Sequence, residues 1–303
     1  MILMMMSKLL FASQDSVFSF RFRNDVTVTA DLPANFSSKK KTQIVLFALP
    51  NGNSTAQTMG KKMQPGDDWH FDIQHIASQT RFVRNELPNE NIAVVYLEND
   101  LKAWPQWKKV HANYTDLIPA IIDSIQKVLA IKKYSLHLNG HSGGGAFVLG
   151  YIQSQKKIPD HINRISFLDS DYGYDSTFTE KFVHWLKRNK ANYLSVFAYN
   201  DSVVVYNGKP LVSPTGGTWY RSKLMMKDLS ADFSFTMTRN DSVVQYTSMN
   251  RINFFLVDNP EKKIYHTVQV ERNGFIHSLL IGTKQESKDY SYWGKRAYDN
   301  LIE

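Results

Sequence analysis

The 303-residue chain contains no cysteine. That absence removes a thiolate nucleophile, a thiolate metal site and a disulfide framework. A chain of this length buries enough surface to fold without such staples, so the absence assigns no compartment. No apolar run approaches the ~20 residues of a membrane span. No Lys-Ser or Lys-Thr pair follows the glycines, which excludes a P-loop. Nucleic-acid recognition motifs are missing as well. Acidic residues are the scarcer sign: 28 Asp and Glu stand against 36 Lys and Arg, a net charge of +8. The cations are scattered, however. The longest run, Lys39-Lys40-Lys41, directly precedes an apolar stretch and reads as a solvated turn. No nucleic-acid partner is expected from this pattern, and no cofactor is implied. Asp169 and Asp171 end one strand two residues apart, a spacing that raises a metal site. No His or Glu cluster joins them, so no metal is expected.

What is present is an ordinary globular balance, 43% hydrophobic and 21% charged, enough for one large α/β domain. Residues 1–15 are apolar with Lys8 in their midst. They read as the remnant of a signal segment or as an irregular start, without a basic n-region or a good cleavage site. Cytoplasmic and exported locations both stay open. The remaining residues, 16–303, read as a single domain.

Short β-rich runs alternate with helical stretches, the signature of a parallel sheet with crossover helices. Residues 17–22 and 26–32 form an edge hairpin around Arg23-Asn24-Asp25. Buried-type strands follow at 43–49, 92–97, 134–138, 165–168 and 193–199. Helices are expected at 72–84, 114–130, 143–153 and 179–188. A Trp- and Lys-rich loop spans 99–109. The polar segment 205–259, with Pro210, Pro214, Gly216 and Gly217, breaks the rhythm and reads as an inserted lid or extra hairpin layer. Residues 264–270 read as the last strand.

The chemical signal is Gly140-His141-Ser142-Gly143-Gly144, a G-x-S-x-G pattern. By chance alone it occurs in roughly one chain in ten of this length, so context decides. Here an apolar strand precedes it and a helix-like run follows. That is where a serine is held on a sharp strand-to-helix turn. Small residues on either side let strand and helix approach. The first N–H groups of the helix then face a developing oxyanion.

On these residues the chain resembles the α/β-hydrolase superfamily, over about residue 16 to the end. The resemblance implies an α/β-hydrolase fold, a mostly parallel sheet with helices on both faces, and Ser142 as nucleophile. In that family the acid commonly follows the strand two after the nucleophile strand, and the histidine follows the last strand. Asp201, at the end of 193–199, fits the acid, with Asp169 and Asp171 as alternatives one strand earlier. His277, in a glycine-containing loop beyond 264–270, fits the base. His266 falls inside that expected last strand. His137 reads as core, and His141 points away from its neighbour Ser142. Gly143 N–H is one expected oxyanion donor. The loop Leu49-Pro50-Asn51-Gly52-Asn53 departs from the family's His-Gly form, with Gly52 or Asn53 as the expected second donor.

Trp104, Trp107, Tyr172, Trp219 and Arg221 lie on loops that line the pocket in such folds, the arginine suited to a substrate carboxylate. The leading expectation is hydrolysis of a carboxylic ester through an acyl-serine intermediate, on a small-molecule or peptide substrate. The same apparatus cleaves amides, and a non-catalytic binding protein of this fold is the third reading. The sequence leaves the oligomeric state open.

Overall fold

The computed structural model describes residues 15–303, so the apolar start, 1–14, lies outside the described residues. β1 (Ser16–Phe22) and β2 (Val26–Leu32) pair antiparallel as the predicted hairpin. β2 lies antiparallel on β4 (Glu90–Asn99). From β4 the strands run parallel through β3 (Lys41–Ala48), β5 (Ser135–His141), β6 (Ile162–Leu168), β7 (Tyr193–Tyr199) and β12 (Ile252–Val257). β11 (Val243–Ser248) and β10 (Thr236–Asn240) add antiparallel beyond β12 and complete a 10-stranded sheet. β8 (Val205–Tyr206) and β9 (Lys209–Pro210) form a separate small hairpin.

The central strands are apolar at nearly every position because both sheet faces are covered. β3 shows the period of two. Ile44, Leu46 and Ala48 enter one hydrophobic cluster, while Val45, Phe47 and Leu49 enter the other. The first cluster gathers α3 (Trp104–Val110), α4 (Tyr114–Leu129), α5 (Gly145–Ser154), α6 (Thr179–Arg188) and α7 (Thr218–Leu229) through residues such as Ile118, Phe147, Trp185 and Met225. The second gathers α2 (Ile76–Glu86) and α8 (Phe275–Leu280). α1 (Thr55–Met59) sits in the loop after β3, closed by a Ser54–Gln57 capping box. No described helix is long and apolar enough to cross a membrane.

The segment 205–259 holds the β8–β9 hairpin, α7, packed on the sheet through Met225 and Leu229, and three strands that extend the sheet itself. One expectation needs correction. The last parallel strand is therefore β12, not 264–270, and the latter residues form an irregular loop running into a helical turn. Burial decides the difference. All of Ile252–Val257 is buried, whereas Ile264 remains 45% exposed and has no partner strand.

The turn between β5 and α5 is tightly built. A Cβ on Gly145 would stand 1.6 Å from the carbonyl oxygen of Ser170, whose own hydroxyl donates to the Gly140 carbonyl at 2.8 Å. Helix α5, strand β5 and the loop after β6 thus meet without a spare methyl volume. Gly145→Ala is expected to lower stability by about 1–3 kcal/mol, read as a reduced urea midpoint at unchanged slope.

Candidate active site

Parallel strands deliver their carboxyl ends to one edge of the sheet, and ligand sites of such sheets form there. At that edge β5 ends and Ser142 follows with φ of 55°, in the left-handed region that a residue with a Cβ occupies only under strain. The strain is the expected mark of a serine held on an elbow. One strand over, β6 ends and Asp169 follows, also left-handed with φ of 47°. Its N–H remains tied to the Phe197 carbonyl on β7 at 2.8 Å, which fixes where its carboxylate points.

That carboxylate meets His266. Asp169 Oδ2 accepts from His266 Nδ1 at 2.5 Å, with the acid fully buried and the imidazole a quarter exposed. A carboxylate on Nδ1 selects the tautomer in which Nε2 is the free, basic nitrogen. Nε2 has no hydrogen-bond partner among the described residues. The His266 segment is pinned to the elbow by His141, whose Nε2 donates to the His266 carbonyl at 3.1 Å while the two rings lie 4.7 Å apart. Burial, with His266 close by, holds the His141 imidazole neutral, well below its ordinary range. The neutral ring makes this bond with its proton on Nε2. Tyr172 approaches His266 edge-on at 6.3 Å, and burial beside Asp169 pushes its phenol far up.

The other expected residues lie elsewhere. His277 is not beside the elbow. It sits on α8, 3% exposed, walled by Phe255 and Tyr292, with Nδ1 on the Tyr290 hydroxyl at 2.9 Å. Burial, reinforced by the charge of Arg164, drives its imidazole down to about 3. Asp201 does not touch a histidine. Its Oδ2 accepts the Thr218 N–H at 2.9 Å at the start of α7. Asp171 accepts from Ser222 Oγ at 2.9 Å, and burial pushes its carboxyl up to about 8.

Trp104 and Trp107 are core, each 1% exposed. Their indoles donate to the Leu97 carbonyl and to Asp25. Trp219 packs on the α7 side of the core with Lys223 over its ring. Arg221 donates from one guanidinium nitrogen to the Tyr174 carbonyl at 2.9 Å, while its Nε is buried without a partner among the described residues. Gly52 N–H is already donated to the Lys102 carbonyl at 2.8 Å, so it is not free for an oxyanion. Asn53 is buried, with its amide nitrogen lacking a partner. Its neighbour Asn51 is the residue that reaches the elbow. A Cβ on Gly143 would stand 1.8 Å from Asn51 Oδ1, so glycine there lets this side chain lie across the start of the helix.

Sequence reasoning sets His266 behind His277 by placing it inside a strand, and the missing signal is the true strand before it. Phe254-Phe255-Leu256-Val257 is an unbroken apolar run stopped by Asp258-Asn259-Pro260. Taking that run as the last strand puts His266 in the loop after it.

Comparison with known proteins bears on the architecture. Among solved structures, a feruloyl esterase module from Clostridium thermocellum superposes with a TM-score of 0.52 at 11% identity, over 89% of this chain and 90% of that one. A thermostable esterase superposes with a TM-score of 0.50 at 15% identity, over 86% of this chain and 60% of its own. The fold is the α/β-hydrolase fold. At these identities the likeness speaks for the fold alone. No protein-family model matches the chain, and no curated protein matches it by sequence.

Proposed function

We propose that the protein is a serine hydrolase of carboxylic esters, with Ser142 as nucleophile, His266 as general base and Asp169 as the acid that orients it. One observation carries the reading: the His266–Asp169 pair, with Nε2 free, is fastened through the His266 carbonyl to His141, the residue that precedes a left-handed Ser142. His277 and Asp201 give up the roles that sequence spacing suggests for them.

The chemistry follows from the atoms. His266 Nε2 takes the Ser142 hydroxyl proton as Oγ bonds to the substrate carbonyl carbon. Asp169 stabilises the imidazolium without accepting its proton. The oxyanion is met by the Gly143 N–H and by a donor of the Asn51 segment. Collapse breaks the bond to the alkoxy oxygen, which leaves as an alcohol carrying the proton from Nε2. Water then attacks the acyl-serine, yields its proton to Nε2, and frees the carboxylic acid and Ser142. The structural neighbours described as esterases agree with an ester substrate.

The test is labelling with a fluorophosphonate, which forms a stable adduct only with an activated serine. One adduct per chain is expected by intact mass, and peptide mapping should locate it on Ser142. Folded protein that takes up no label, and turns over none of a panel of p-nitrophenyl esters, would move a non-catalytic binding role to the front.

A further inference from the structure

Behind the catalytic edge lies a second acid that the proposed reaction does not use. Asp201 is 1% exposed and lies at the N-terminus of α7. It accepts the Thr218 N–H, and Gly217 leaves it room, since a Cβ there would stand 2.3 Å from both carboxylate oxygens. Thr218 joins the two acids. Its hydroxyl donates a short hydrogen bond to Asp169 Oδ1, the oxygen not used by His266, and lies 3.4 Å from Asp201 Oδ2. The chain of contacts runs Asp201, Thr218, Asp169, His266.

We infer that Thr218 and Asp201 are positioning residues for the base. Thr218 locks the orientation of the Asp169 carboxylate, and the negative charge of Asp201 raises the basicity of the Asp169–His266 pair. The inference rests on the reading of Ser142, His266 and Asp169 as a triad.

The geometry explains why a threonine is needed. Asp169 is fully buried and has two oxygens to satisfy. His266 satisfies one; without the Thr218 hydroxyl the other is left to rotate or go unpaired. The same threonine supplies α7's first N–H to Asp201, where helix partial charge favours an anion. Opposing this, burial and the neighbouring Asp169 raise the Asp201 carboxyl to about 6. The other titratable groups facing this spot add little charge. Asp171 is pushed up to about 8, and Tyr172 and Tyr199 are pushed upward by burial, so all three are neutral near pH 7. Asp201 is then the group whose charge changes in the working range.

The sign follows. An ionised Asp201 favours imidazolium over imidazole. Replacing it with a neutral amide removes that preference, so the base stays unprotonated to lower pH. Below about 6 the wild type has itself lost the charge, and the two proteins converge.

The experiment compares wild type, Asp201→Asn, Thr218→Val and Thr218→Ser by the pH dependence of the fluorophosphonate labelling rate, with urea midpoints as a check on folding. For Asp201→Asn the acidic limb is expected to move down by about half a pH unit or more. For Thr218→Val a loss of about tenfold at every pH is expected, restored to within about threefold by Thr218→Ser, which keeps the hydroxyl. Should Thr218→Val fail to fold, the Asp201→Asn limb and the Thr218→Ser rate still decide. Wild type labelled normally, with the acidic limb of Asp201→Asn unmoved, overturns this inference alone. Wild type unlabelled at every pH overturns the triad reading with it.

Discussion

Ser142→Ala is expected to abolish fluorophosphonate labelling and to lower kcat for ester hydrolysis by a factor on the order of 10⁴–10⁶. Residual turnover would come from oxyanion donors acting on water. The backbone adds a second reading of the same position. With φ of 55° Ser142 holds a conformation that costs a residue with a Cβ about 1–3 kcal/mol. Alanine inherits that cost, whereas glycine does not. Ser142→Gly should therefore be as inactive as Ser142→Ala yet more stable than it, by about 1 kcal/mol or more in urea unfolding. Equal stability of the two variants would mean that the elbow stores no strain. Hydrolysis retained by either would mean that another residue performs the attack.

His266→Ala should match the loss at Ser142, because nucleophile and base act as a unit and their deletions do not add. His277 supplies the contrast. His277→Phe keeps the aromatic packing of Phe255 and Tyr292 but removes the imidazole from the Tyr290 hydroxyl, which keeps its Ser287 backbone bond. The expected result is kcat within about threefold of wild type and a stability loss of about 1 kcal/mol from the lost hydrogen bond. Steady-state rates and denaturation midpoints, taken together on both variants, separate chemistry from folding. A His277→Phe protein that folds with an unchanged midpoint and has lost hydrolysis would return the base to α8. Asp169→Asn should follow His266→Ala at about 10⁴-fold, since an amide presents the wrong partner to Nδ1.

The middle of the sheet was legible because its residues obey one rule at a time. β3, β4, β5, β6 and β7 are buried on both faces, so each reads as an apolar run bounded by turn residues. The hairpin announces itself by alternation, and α6 falls at the predicted residues because its apolar spacing is clean. α3 was hidden because Trp104 and Trp107 lie among lysines that make the stretch look like a loop. The larger error came from two competing β signals near the end. Residues 264–270 alternate and carry β-branched side chains, as strands do, but no neighbouring strand accepts them. Ile252–Val257 finds β7 on one side and β11 on the other. Pairing is a property of the whole sheet and is not written in either segment. Mislocating that strand puts the proposed base one loop away. The proposed acid goes astray with it, since it is singled out by the carboxylate that reaches His266. Asp201 fits the family's spacing, yet α7 claims it, and the inserted segment that carries α7 offered no such hint.

The parallel pairing of β12 with β7 also fixes when the site becomes complete. Ser142 and Asp169 come from strands adjacent in both space and sequence, so a nascent chain can form that half early. His266 lies 97 residues beyond Asp169 and arrives only once β12 has docked, across a connection whose closure entropy has to be met first. A chain that stops short of β12 holds Ser142 and Asp169 but not His266. On the proposed triad, recovery of hydrolysis during refolding is expected to clock the closing of the last parallel pair, while the far-ultraviolet signal of the inner strands can return well before it.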